Sequence, residues 1–90
     1  MASKEHQLLE QIFNGKISWG PTDTSENARE YFDQVQCPEL IETLDLLVAN
    51  DFIGDYTTHE ESHSGKRRID RVHITKGLTF KGQDKSEWPD

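Results

Sequence analysis

The chain has 90 residues, 32% of them hydrophobic and 30% charged, with a net charge of −7 and one cysteine. A chain of that length makes one small domain, burying about 60–65% of the surface its unfolded form exposes. No run of apolar residues is long enough to span a membrane, none near Met1 reads as a signal peptide, and a lone cysteine forms no internal disulfide; together these point to the cytosol.

Charge is unevenly spread. Residues 1–65 hold three basic residues against thirteen acidic ones, whereas residues 66–90 hold seven basic against four acidic. A negative field over most of the chain opposes non-specific attraction to DNA or anionic lipid. The basic cluster KRRIDR, Lys66 to Arg71, suggests a second surface with a different task.

Ser3 is placed to cap a first helix that runs to about Asn14 and closes at Gly15, with Leu8, Leu9, Ile12 and Phe13 as its apolar stripe. Lys16 to Trp19 alternates and predicts a brief strand, and Gly20 to Thr24 predicts a turn. Asp23, with Glu26 three residues on, marks the start of a second helix carrying Ala28, Tyr31, Phe32 and Val35 on one side. That helix is expected to stop before Cys37-Pro38, because a residue preceding proline is pushed out of the α region. Cys37 reads as a small residue at a helix start, with no adjoining cations to make it a reactive thiol. A third helix then spans Pro38 to Asn50, where Leu40, Ile41, Leu44, Leu47 and Val48 share one face. Pro38 suits its first position, where the missing N–H costs nothing.

After Ile53 the period shortens towards 2. Phe52 to Thr58 predicts a strand, His59 to Gly65 (HEESHSG) a polar connection, and Arg67 to Ile74 the returning strand of a hairpin. Leu78 and Phe80 are expected to pack back on the core, as are most of Trp19, Tyr31, Phe32, Phe52 and Tyr56. Residues 82–90, GQDKSEWPD, are expected to form a largely disordered tail.

A helix ending in L-x-x-L-x-x-x-D-F-I and followed by a hairpin resembles the third helix of the winged helix-turn-helix family. Ile74 to Phe80, ITKGLTF, resembles the I-T-x-K-G-[LIY]-x-[FY] ending of many small bacterial and phage members, here without the residue between Thr75 and Lys76. The resemblance covers roughly residues 4–80. It implies an α+β winged helix-turn-helix domain over residues 1–81, with three helices and a C-terminal β-hairpin wing. It also implies a binding module in transcription or genome regulation rather than an enzyme, with no cofactor and no metal.

Two surfaces follow as candidates. In the family, the third helix enters the major groove with Arg, Lys, Asn or Gln on its outer face. Here that face offers Glu39, Glu42, Thr43, Asp45 and Asn50 and no cation, so it repels phosphates. It is either a solvated acidic face or a contact for a basic protein partner through Glu39, Glu42, Thr43, Asp45 and Leu46. The wing offers Lys66, Arg67, Arg68 and Arg71, which grip double-stranded DNA in a dimer or else pair with the surplus carboxylates, Asp70 among them. A conventional dimeric DNA-binding regulator is the alternative function. A more remote one is a zinc hydrolase, since His59 to His63 spells H-E-x-x-H. That chemistry needs a helix, and the flanking Thr57-Thr58 and Ser64-Gly65 predict strand and turn instead.

Overall fold

The computed structural model describes residues 3–63 and 65–89, so Met1, Ala2, Ser64 and Asp90 lie outside the described residues. Helix α1 spans Lys4–Phe13, strand β1 Ser18–Trp19, helix α2 Glu26–Tyr31 and helix α3 Cys37–Ala49. Strands β2 (Ile53–His63) and β3 (Lys66–Leu78) follow, then a single turn of helix, α4 (Phe80–Gln83), and a 3₁₀ turn at Lys85–Glu87. The chain is thus α+β, with three principal helices set against a three-stranded antiparallel sheet of order β1-β3-β2.

Local chemistry accounts for both ends of α1. The Ser3 hydroxyl accepts the His6 N–H at 3.1 Å. At the other end Gly15, at φ 98, lets Gly15 N–H and Lys16 N–H reach the carbonyls of Ile12 and Gln11, both at 3.0 Å. Helix α3 ends the same way without a glycine. Asp51 takes φ 63, and the Phe52 N–H closes on the Leu47 carbonyl at 2.9 Å. Asp is among the few side chains that tolerate the left-handed region, and Phe52 and Leu47 are both buried beneath the turn.

The expected break before Pro38 is absent. Residues 26–49 stay helical, with a π-helical segment, Phe32–Gln36, joining α2 to α3. Cys37 precedes proline yet has φ −64 and ψ −46, and its N–H donates to the Phe32 carbonyl five residues back. The wider turn gives the Pro38 ring room away from the preceding carbonyls, and proline's missing N–H falls where α3 begins. The cap of α2 also differs from expectation. Ser25, not Asp23, accepts the Ala28 N–H at 3.2 Å, while the Asp23 carboxylate takes the Ser25 N–H at 2.7 Å. The Ser25 hydroxyl first, and then that N–H, hold the Asp23 carboxyl below its usual range.

The core gathers Leu8, Leu9 and Ile12 of α1, Phe32 and Cys37, Leu44 and Leu47 of α3, Phe52, Ile53, Val72 and Ile74 of the hairpin, and Trp88. Leu40, Ile41 and Val48 pack partly against it, so the α3 stripe lies where its spacing puts it. The stripe assigned to α2 does not: Phe32 is buried, but Tyr31 and Val35 are exposed. Phe80, expected in the core, is 93% exposed, because its place at the start of α4 turns it outward.

Two further expectations are corrected. His59 to His63 is not a connection but part of β2, which pairs with β3 from Ile53↔Leu78 to His63↔Lys66, so that of the described residues only Gly65 lies between the two strands. Gly65 there has φ 79. Register shifts between Asp55 and Tyr56 and between His59 and Glu60 give β3 an extra residue at each, which the 11 residues of β2 against 13 of β3 reflect.

Residues 82–89, expected to form a disordered tail, are folded onto α1. The Thr79 hydroxyl caps α4, accepting the Gly82 N–H at 3.1 Å and donating to the Asp51 carbonyl. Gly82 lies so close that a Cβ there would overlap the Phe52 carbonyl. The Trp88 indole N–H donates to the Gly82 carbonyl at 2.8 Å, and its ring meets His6 and Phe13 edge-on at 5.3 and 5.9 Å. The apolar area of one tryptophan outweighs the polar residues around it.

Candidate partner-binding surface

The outward side of α3 presents Glu39, Glu42, Asp45 and Leu46, all exposed, with Leu46 43% accessible. Helical spacing puts Glu39, Glu42 and Leu46 on one stripe. Thr43, expected on this face, is buried: its hydroxyl donates to the Glu39 carbonyl at 3.0 Å, so it belongs to the inner side of the helix. Lys4 of α1 lies 3.0 Å from Glu39, but both side chains are mostly exposed and the pair neutralises little. Glu42 makes no ion pair among the described residues. Asp45 accepts the Tyr56 hydroxyl at 2.5 Å. Burial pushes that hydroxyl's pKa up to about 12, helped by the Asp45 carboxylate, so Tyr56 stays a donor at neutral pH.

The hairpin treats Lys66, Arg67, Arg68 and Arg71 differently. Arg68 turns inward, is 7% exposed, and grips the Glu26 carboxylate with both terminal nitrogens at 2.6 and 3.3 Å. Glu61, opposite it on β2, lies 3.7 Å from Arg68 and 3.6 Å from Arg29. The bonds to Glu26 hold the guanidinium's pKa above its ordinary value, so it is a fixed charge inside the fold. Arg68, expected to contact nucleic acid, instead ties the hairpin to α2. Arg67 lies 3.6 Å from Glu60 but remains 80% exposed. Lys66 and Arg71 are exposed and make no ion pair among the described residues. Asp70, expected to pair with these cations, instead binds the His59 ring at 2.6 Å.

His59 and His63 lie on strand β2, not on the helix that H-E-x-x-H chemistry needs. Among the described residues no group of three or more His, Cys, Asp and Glu side chains gathers to hold a metal ion. Cys37 is 1% exposed, and burial raises its thiol pKa, with Asp33 adding to the rise. Among the described residues no helix is long and apolar enough to cross a membrane.

Sequence reading missed two concavities that flank α3. A cleft of about 680 Å³ opens between α1, β1 and α3, floored by Leu8, Phe32 and Leu40 with Trp19 at its side. A groove of about 540 Å³ runs between α3 and β2, with Ile41, Val48 and Ile69 below and Asp45 and Asp55 at its rim. Each is assembled from segments far apart in the chain, so no local motif marks it.

Fold and surface define a small α+β chain with an acidic helix face beside a hairpin. No protein-family model matches it, and neither a curated protein nor a solved structure does.

Proposed function

We propose that this chain is a non-enzymatic binding module of winged helix-turn-helix type, acting in transcription or genome regulation by docking the outer face of α3 on a basic protein partner. The element order α1, β1, α2, α3, β2, β3 and the antiparallel sheet are compatible with that family, the π-segment standing where the turn would be. One observation carries the reading. The outer face of α3 keeps Glu39, Glu42 and Asp45 exposed around Leu46, with no cation of its own, while Arg68 is drawn off the hairpin surface by Glu26. Like charge excludes that face from a phosphate backbone and suits it to lysine and arginine.

Replacing Glu42→Lys together with Asp45→Lys is expected to eliminate pull-down of the partner while leaving the circular-dichroism spectrum unchanged. Full retention of every bound protein by that variant defeats the reading. A second reading is favoured by the exposure of Lys66, Arg67 and Arg71: a salt-dependent contact with DNA through the hairpin, in a dimer. It predicts a gel shift at low salt that Arg67→Ala with Arg71→Ala abolishes. No shift with any duplex at low salt removes it.

A further inference from the structure

The groove between α3 and β2 combines an apolar floor with an anionic rim. Ile41 and Val48 of α3 and Ile69 of β3 are half-buried, packed on the core from below and open to the groove above. Asp45 and Asp55 stand at its two sides, and among the described residues no Lys, Arg or His lines it. Tyr56 orients both acids: its hydroxyl donates to Asp45 at 2.5 Å and its backbone N–H to Asp55 at 2.8 Å. Lys76, across the ladder from Asp55, makes no ion pair with it among the described residues.

We propose that this groove receives a lysine or arginine side chain of the protein partner, its aliphatic stem on Ile41, Val48 and Ile69 and its charge between Asp45 and Asp55. The proposal rests on the reading of α3 as the docking face and extends it to the sheet side. Other occupants fit worse. A purely apolar side chain would strip water from two carboxylates and give them nothing in return, and an anion would be repelled. A long-stemmed cation satisfies floor and rim together. Because Tyr56 already fixes the carboxylates, little ordering is left to binding. The Tyr56 N–H, taken by Asp55, is not offered to an incoming strand, so the contact is made through side chains.

The test is an NMR titration of the isotope-labelled protein at low salt with an octapeptide alternating lysine and threonine. A matched peptide carries diaminopropionate in place of lysine, keeping the charge and removing most of the stem. The lysine peptide is expected to bind about fivefold more tightly and to shift the methyl signals of Ile41, Val48 and Ile69. Asp55→Asn should weaken it about fivefold, more than Glu42→Gln does. Equal affinity for the two peptides, or indifference to Asp55→Asn while Glu42→Lys abolishes binding, overturns the groove and leaves the acidic face standing. No binding of either peptide overturns both.

Discussion

Lys66, Arg67, Arg68 and Arg71 on β3, and Glu39, Glu42 and Asp45 on α3, are two sets of like charge that the fold handles in opposite ways. On β3 the alternation of a strand sends Arg68 inward, where Glu26 and Glu61 meet it, and Arg67 finds Glu60 on the neighbouring strand. On α3, among the described residues, only Glu39 makes an ion pair, and that pair is open to water. A count of charges along the sequence therefore overstates the basic character of the hairpin, whereas it describes the helix face well. Strand neighbours come from elsewhere in the chain and select which cations remain on the surface. A helix face facing solvent keeps what its own residues supply.

The sharpest way to break this contrast is Arg68→Ala. It leaves the carboxylates of Glu26 and Glu61 without the guanidinium that ties the hairpin to α2 and is expected to lower the urea midpoint more than any other substitution among these cations. Arg67→Ala, 80% exposed, should stay within about 0.5 kcal/mol. Equal effects would mean that Arg68 is no more a structural residue than Arg67. Glu26→Gln, which keeps the shape but removes the charge, should fall between them at about 1 kcal/mol.

A third prediction concerns the α3 side. Since the folded protein raises the Tyr56 hydroxyl from an ordinary 10 to about 12, its contribution to stability is complete below pH 10 and is lost as pH rises towards 12. Absorbance at high pH should resolve this late tyrosine. Asp45→Asn should bring its midpoint down only in part, because burial is the larger cause. The smallest effect is chemical: the Cys37 thiol, 1% exposed, should resist a disulfide reagent until denaturant is added.

Much of the helical part was legible because its signals are local. Ser3 and Gly15 bound α1, and the 3.6-residue spacing from Leu40 to Val48 sets the inner face of α3. The rule that failed at Cys37 is local too, but a π-turn offered another way past Pro38. On the hairpin, HEESH shows no apolar alternation, and only the pairing with residues 66–71 makes it a strand. Of the proposed partner face, Glu39, Glu42, Asp45 and Leu46 are exposed as expected. Thr43 lies one position too far round the helix.

By itself the sequence determined the two ends of α1, the α3 stripe and the acidic character of its outer face, since each depends on residues within a few positions of one another. Tertiary structure alone decided that Arg68 is inside, bound to a carboxylate 42 residues away. It also decided that Trp88 completes the core against His6 and Phe13, and that Tyr56 joins Asp45 to Asp55 across a groove. The physical reason is range. Backbone capping and helical periodicity act within one or two turns, whereas burial and charge pairing act between whichever surfaces the folded chain brings together.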